Sequence, residues 1–243
     1  MPARKQAAPP SALALVPAAG FGTRFHGAGP KALVLLAGRP LLLHALDRLF
    51  ASGRVHAAVV AAPSGHEEAF RDVLKASPVP CRVVDGGVTR SASVARALAA
   101  VEVPDDGLVL VHDAARPLVD PVEVAAVVDA AAATGAAVAG FSLVDTIKRV
   151  RTGKVVETVP RSELFAATTP QVFRAKLLRK AVAKASEGAA RESTDDAELV
   201  ERAGGTVAFV LTSRWNLKIT YPEDLLWAEA FLARTGWGGP AET

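Results

Sequence analysis

Two glycines and two cations near the start of the chain carry the clearest chemistry. Pro17-Ala18-Ala19-Gly20-Phe21-Gly22-Thr23-Arg24 follows an apolar run from Ala12 to Val16, and Pro30-Lys31 comes shortly after. Gly20 and Gly22, one residue apart, let a backbone turn sharply and approach a ligand closely. The amides of such a turn, opening into a helix, form a concave site for anions. Arg24 and Lys31 place two fixed positive charges beside it. The combination suits a nucleoside triphosphate, yet it is neither of the common phosphate loops. The P-loop needs Gly-Lys-Ser/Thr, and Gly22 is followed by Thr23-Arg24. The dinucleotide fingerprint needs a third Gly or Ala three positions on, where this chain has Phe25. On the glycines alone, an ordinary strand-to-helix turn reads equally well.

A second constellation supplies a carboxylate. Leu108-Val109-Leu110-Val111 is a short apolar run, and His112-Asp113-Ala114-Ala115-Arg116-Pro117 follows it. A carboxylate just past a buried strand lies at the carboxyl edge of an α/β sheet, where ligands bind. Mg²⁺ takes one or two carboxylates together with phosphate oxygens and water. Asp113 has the right chemistry and place for that ion; capping the segment after it is the alternative.

Both groups need a sheet to hold them. Strand-like runs fall at Ala12–Val16, Val55–Ala61, Cys81–Val84, Leu108–Val111, Ala136–Phe141 and Thr206–Leu211. Helical patterns fall near Leu41–Ala51, Glu67–Ala76, Ser91–Ala100, Pro121–Ala133, Arg174–Ala185, Asp195–Ala203 and Glu223–Ala233. Pro121 suits a first helical position, with Asp120 before it as cap. Alternation of this kind predicts an α/β fold with a doubly wound, mostly parallel sheet, covered on both faces. Residues 1–10 and 236–243 read as tails, and 11–235 as one domain. The stretch from Ser142 to Pro160 breaks the pattern. Asp145–Val150 alternates, Arg151-Thr152-Gly153-Lys154 signals a turn, and Val155–Val159 is a second strand. This predicts an inserted β-hairpin arm. A lone hairpin is marginal in water, so a second copy of the chain is its simplest partner.

The chain has 243 residues, half of them hydrophobic, and a formal net charge of +3. That length accommodates a sizeable core. No Lys/Arg run with interleaved aromatics suggests a nucleic-acid groove. No stretch approaches the roughly 18 unbroken apolar residues of a membrane span. The single cysteine, Cys81, excludes an internal disulfide and reads as a small core residue; a cytoplasmic setting is consistent with it. No zinc site can be built from one cysteine and scattered histidines.

The motifs taken together resemble a known family. Ala18 to Arg24 with Pro30-Lys31, Val84-Asp85-Gly86-Gly87, Val111 to Pro117, Asp145-Thr146-Ile147-Lys148, Thr169-Pro170-Gln171 and Lys218-Ile219-Thr220 appear in this order in 2-C-methyl-D-erythritol 4-phosphate cytidylyltransferases. The resemblance runs from about Leu13 to Leu232. It implies a Rossmann-like nucleotidyltransferase fold, a dimer formed through the arm, and Mg²⁺ as cofactor. It also implies a reaction of CTP with methylerythritol 4-phosphate giving a CDP-alcohol and pyrophosphate. Ribitol 5-phosphate cytidylyltransferase, and a CTP-binding regulatory module without catalysis, are the rival readings.

The same resemblance distributes roles. Arg24, Lys31 and Lys218 are the catalytic cations, and Asp113 the metal ligand. Ala18, Ala19, Gly20, Gly22, Gly86, Gly87 and Ser93 form the nucleotide site. Arg116, Thr146, Arg161 and Thr194 hold the polyol phosphate; for Thr194 a helix-capping role weighs equally. Arg90 is open between the ribose and the helix start, and His112 is expected to orient backbone. The chain departs from the family pattern at Val88 and Trp215, each standing where members carry an acidic residue. Asn216 is the candidate second metal contact.

Overall fold

A computed structural model describes residues 8–22, 29–77, 79–187 and 193–236. The expected alternation produces the elements in chain order. Strand β1 (Ala12–Pro17) leads through a 3-10 turn (Lys31–Leu33) to the short pair β2 (Leu35–Leu36) and β3 (Arg39–Pro40). Then come α1 (Leu41–Ala51), β4 (Val55–Ala62), α2 (Glu67–Leu74), β5 (Cys81–Asp85), α3 (Arg90–Ala99), β6 (Leu108–Val111), α4 (Pro121–Thr134) and β7 (Ala136–Ser142). The second half holds β8 (Ile147–Arg151), β9 (Lys154–Val159), β10 (Phe165–Arg174), α5 (Ala175–Glu187), α6 (Asp196–Arg202), β11 (Ala208–Leu211) and α7 (Pro222–Thr235).

The main sheet has seven strands in the order β11-β7-β10-β6-β1-β4-β5. Its pairs are parallel except at β10, which runs antiparallel to both β6 and β7. Strand β10 was not expected from the sequence. Its pairing with β7 shifts register between Ala167 and Gln171. That irregular stretch, Thr168-Thr169-Pro170, lies beside the end of β6 and faces the Asp113 loop.

Period-two alternation divides the strands between two cores. Ala14, Val16 and Leu110 face one side with Leu42, Leu46 and Leu49 of α1, Phe70 of α2 and Val124, Val127 and Val128 of α4. Leu15, Val109 and Val111 face the other with Val94 and Leu98 of α3, Leu178 of α5 and Leu199 of α6. Strand and helix thus bury their apolar faces against each other, which is the main favourable term in folding. Asp120 caps α4 as expected, its carboxylate accepting from Val122 N–H at 2.8 Å. Cys81 is a free thiol packed at the margin of the first core.

A third, smaller cluster gathers Leu36, Leu41, Leu118, Ile219, Ala228 and Leu232. It docks α7 on the flank of the sheet. Ile219 is fully buried there, and its N–H donates to Ala115 O at 2.8 Å. That anchor fixes the position of Lys218 next to it. The arm is the reverse case. Strands β8 and β9 form a separate two-stranded sheet. Thr152 and Gly153 both take positive φ, +48° and +76°, the geometry of a tight hairpin turn. Arg149 pairs with Glu157 at 2.7 Å, yet Val150, Val155 and Val156 are all mostly exposed.

Truncating the anchor should be costly. Ile219→Ala is expected to destabilise the protein by about 2–5 kcal/mol, read in urea unfolding as a lower midpoint at unchanged slope. An unchanged midpoint would show that the third cluster does not hold this segment.

Candidate active site

The carboxyl ends of β1, β5 and β6 open on one cleft of about 220 Å³. Ala18, Ala19, Gly20 and Lys31 line one wall, Gly87 to Arg90 and Ser93 a second, and Asp113 to Ala115 with Lys218 a third. The loop after β1 is tied down by two backbone bonds. Ala18 N–H donates to Ala61 O at 2.9 Å, and Lys31 N–H to Gly20 O at 3.1 Å. Gly22 has φ +59°, and a Cβ on it would lie 3.0 Å from the Lys31 stem. Only glycine permits that turn over that side chain. Arg24 lies outside the described residues.

The second wall also depends on missing side chains. A Cβ on Gly86 would stand 2.6 Å from Ala19 Cβ and 2.8 Å from Ala62 O, and one on Gly87 would stand 2.4 Å from Ala92 Cβ. Gly86 therefore packs behind the wall against the first loop, while Gly87 faces the cleft. Ser93 is buried and acts as a lock. Its Oγ accepts from Gly87 N–H at 3.0 Å and donates to Thr89 O at 2.9 Å. Thr89 caps α3 through Ala92 N–H.

Asp113 is the electrostatic centre. Its Oδ1 accepts from Arg90 Nε at 2.8 Å, its Oδ2 lies 2.8 Å from Lys218 Nζ, and Arg116 Nε stands 3.9 Å from Oδ2. Burial alone would raise this carboxyl; Arg90 and then Lys218 outweigh it and hold the group well below the ordinary carboxylate range. Asp113 is an anion at any physiological pH. Arg90 reaches further, donating from Nη1 to Asp196 Oδ2 at 2.7 Å. Burial raises the Asp196 carboxyl, with Arg90 pulling against it.

Strand β10 supports this centre from below. Thr169 Oγ1 accepts from Asp113 N–H at 3.1 Å and meets His112 Nδ1 at 3.1 Å. His112 Nε2 meets Arg116 O at 3.1 Å. Burial pushes His112 down to about 4, so the ring is neutral and orients backbone, as expected. Asn216 Nδ2 donates to Thr169 O at 2.6 Å, and Arg116 Nη1 to Asn216 O at 2.8 Å. Asn216 thus braces the cleft through its amide.

A fixed anion ringed by cations, beside a glycine loop at a sheet edge, is the architecture of a nucleotide-transfer site. The family model described as 2-C-methyl-D-erythritol 4-phosphate cytidylyltransferase matches residues 12–234. The chain belongs to that family. The enzyme of that name from Saccharopolyspora erythraea is 47% identical over 92% of this chain and 100% of its own. That from Deinococcus radiodurans is 44% identical over 94% and 93%. The crystal structure of the Thermus thermophilus enzyme superposes with a TM-score of 0.74 at 38% identity, covering 92% of this chain and 99% of that one. The Anaerococcus prevotii synthase structure gives 0.81 at 27% identity over 93% and 100%. The chain is accordingly a nucleotidyltransferase with the expected Rossmann-like fold.

For this cytidylyltransferase the cleft gathers Ala18, Ala19, Gly20, Lys31, Gly87, Ser93, Asp113 and Lys218, with Gly22, Gly86 and Arg116 directly behind them. It does not gather the remaining residues expected to hold substrate. Thr146 and Arg161 sit at the root of the arm, both exposed, where Arg161 donates to Val144 O. Thr194 is exposed and gives its N–H and Oγ1 to Glu198 Oε2, at 2.7 and 2.9 Å, ahead of the Asp195 cap of α6. The cap of α6 is thus Asp195, and Thr194 is tied to the first turn through Glu198. Trp215 is exposed and packs on Phe231 at 5.3 Å, and Val88 is fully exposed at the cleft rim. Sequence reasoning missed the parts of Thr169, Gln171 and Asp196. Asp195-Asp196 after Ser193-Thr194 gave a cap signal but nothing that pointed to Arg90, because the pair is 106 residues apart.

The second wall offers a direct test. Gly86→Ala should destabilise the fold by about 1–3 kcal/mol through overpacking, seen as a lower denaturation midpoint. A neutral result would mean that the two loops separate without cost.

Proposed function

We propose that the enzyme transfers CMP from CTP to 2-C-methyl-D-erythritol 4-phosphate. The products are 4-diphosphocytidyl-2-C-methyl-D-erythritol and pyrophosphate, and the step belongs to non-mevalonate isoprenoid biosynthesis. The observation that carries this reading is Lys31, Lys218 and Asp113 lining one cleft, with Lys218 2.8 Å from Asp113. The attacking group is a phosphate oxygen, already largely ionised near neutral pH, so no general base is needed. The obstacle is the approach of two anions and the charge that builds on the α-phosphate. Lys31, Lys218 and Arg24 supply fixed positive charge there, which lowers the barrier without proton transfer. The glycine loop positions the triphosphate for displacement of pyrophosphate. Small residues at Ala18, Ala19, Gly86 and Gly87 leave room for a pyrimidine, with Ser93 locking that wall. Arg116, Thr146, Arg161 and Thr194 are the acceptor's candidate contacts.

Mg²⁺ fits this donor set. Among the described residues Asp113 is the one acidic side chain lining the cleft, and Mg²⁺ accepts a single carboxylate when phosphates and water complete its shell. Asp113 Oδ2 would hold it, with Lys218, 44% exposed, free to turn toward the phosphates. When bound, the ion polarises phosphoryl oxygens and neutralises their charge. Asn216 keeps its Oδ1 buried and unpaired among the described residues, which leaves it as the candidate second contact.

The arm is proposed as a dimer contact, since Val150, Val155 and Val156 are exposed among the described residues. Chain segment 11–235 is read as one domain bearing the arm. No described helix is long and apolar enough to cross a membrane, and a cytoplasmic site of action is part of this proposal.

The deciding assay is pyrophosphate release from CTP, with methylerythritol 4-phosphate and ribitol 5-phosphate in parallel. Turnover with the first and little with the second is expected; binding of CTP without release would favour a regulatory module. EDTA should abolish turnover and Mg²⁺ restore it, and Asp113→Asn should stay folded but inactive; full activity of that variant at low Mg²⁺ would remove Asp113 as ligand. Lys31→Ala should lower kcat by about a hundredfold or more, on the order of 3 kcal/mol. A rise in KM for CTP alone would reassign Lys31 to uniform binding. If the arm completes a partner's site, mixing dissociated Lys31→Ala and Arg161→Ala dimers and reassembling them should restore activity. No recovery, with mixed dimers confirmed by mass, would make the arm a same-chain lid.

A further inference from the structure

We propose that Arg90 is the positioning residue for Asp113 and that the buried Asp196 holds Arg90 in place for that task. The assignment presupposes the CMP transfer proposed above. Arg90 opens α3 directly after the wall formed by Gly87 to Thr89. Its planar guanidinium spans two carboxylates at once, Asp113 Oδ1 through Nε and Asp196 Oδ2 through Nη1. With Oδ1 fixed and the main chain of Asp113 held by Thr169, the direction of Oδ2 is set. Oδ2 is the oxygen that meets Lys218 in the cleft.

Asp196 makes little sense as a stabilising group. It is 0% exposed, and its Oδ1 has no hydrogen-bond partner among the described residues. Buried ion pairs with incomplete hydrogen bonding are often no more stable than an apolar replacement. What Asp196 supplies is an anchor of fixed location. Gln171, 1% exposed on β10, accepts the N–H groups of Asp196 and Ala197 at 3.1 and 3.0 Å. Its Nε2 donates to Asp195 Oδ2 at 2.9 Å. One strand, β10, therefore fixes Asp113 from two directions: through Thr169 to its backbone, and through Gln171, Asp196 and Arg90 to its carboxylate. A lysine at position 90 could not do this, because an ammonium is a point charge without a planar fork.

The test compares wild type, Asp196→Leu, Asp196→Asn and Arg90→Lys by pyrophosphate-release kinetics, CTP calorimetry and thermal melting. Asp196→Leu is nearly isosteric. It should melt cooperatively and bind CTP within about threefold of wild type, so that a loss in kcat alone marks an interaction outside ground-state binding. Its kcat should fall by about tenfold or more, as misplaced groups do. Asp196→Asn still accepts from Nη1 and should lose less. Arg90→Lys keeps the charge but not the bridge, and should fall as Asp196→Leu does. A folded Asp196→Leu or Arg90→Lys with near wild-type kcat overturns the proposal, as does a loss carried by CTP affinity alone. Should Asp196→Leu fail to fold, Arg90→Lys decides. A wild type that does not turn over CTP would sink the functional reading and this one with it; indifferent variants beside an active wild type sink this one only.

Discussion

A single buried negative charge governs the upper edge of this sheet. Asp113 sits in a site where desolvation opposes ionisation, and Arg90 and Lys218 tip the balance back toward the charged form, with Arg116 3.9 Å away. Each of those cations comes from a different segment of the fold. Arg90 begins α3, Arg116 belongs to the loop after β6, and Lys218 precedes the anchor of α7. The carboxylate therefore acts as a common pole that draws α3 and the Lys218 segment to its own loop. Arg90 is the stronger of these partners, since Lys218 is 44% exposed and its charge is partly screened by solvent.

Strand β10 explains how the pole is kept in position. A fully parallel sheet would need a helical crossover between β7 and the strand beside β6. Here the arm takes that place in the chain, and β10 returns antiparallel between β6 and β7. Its register shift at Thr168 to Pro170 turns side chains toward the end of β6 that a regular strand would point elsewhere. Thr169 lies within that irregular stretch, and Gln171 is where regular pairing resumes with Val111 and Val138. Thr169 holds the Asp113 loop and Gln171 the start of α6.

Most of the architecture was legible because it rests on periodicity and punctuation. The runs at Ala12–Val16 and Leu108–Val111 alternate between two cores, and helix α4 announces itself by Asp120-Pro121. Gly22, Gly86 and Gly87 were legible as backbone requirements, and the contacts that a Cβ would make there bear this out, whereas a Cβ on Gly20 would meet open space. Strand β10 was not. Phe165 to Arg174 is interrupted by Thr-Thr-Pro-Gln, a polar stretch with a proline that argues against an interior strand. Its pairing is dictated by long-range partners, and no local pattern encodes those. For the same reason Arg90 and Asp196 looked like a helix start and a helix cap. Their ion pair depends on the packing of α3 and α6 on the same face of the sheet. Thr146 and Arg161, whose roles came from the resemblance alone, lie at the root of the arm and not among the residues that line the cleft.

The same geometry bears on why the site needs no acid–base pair. The backbone of Lys31 is tied to the glycine loop, and that of Lys218 is held by the buried Ile219 beside it. Their rigidity has different origins, one in backbone hydrogen bonds and one in hydrophobic burial, so neither depends on the other. A triphosphate bound as proposed would meet positive charge from both lysines that line the cleft. Charges preorganised in a partly enclosed cleft need no rearrangement as the transition state forms, and this is where electrostatic catalysis gains its advantage over water. Lys218 pairs with Asp113 at 2.8 Å and offsets the charge of that carboxylate within the cleft.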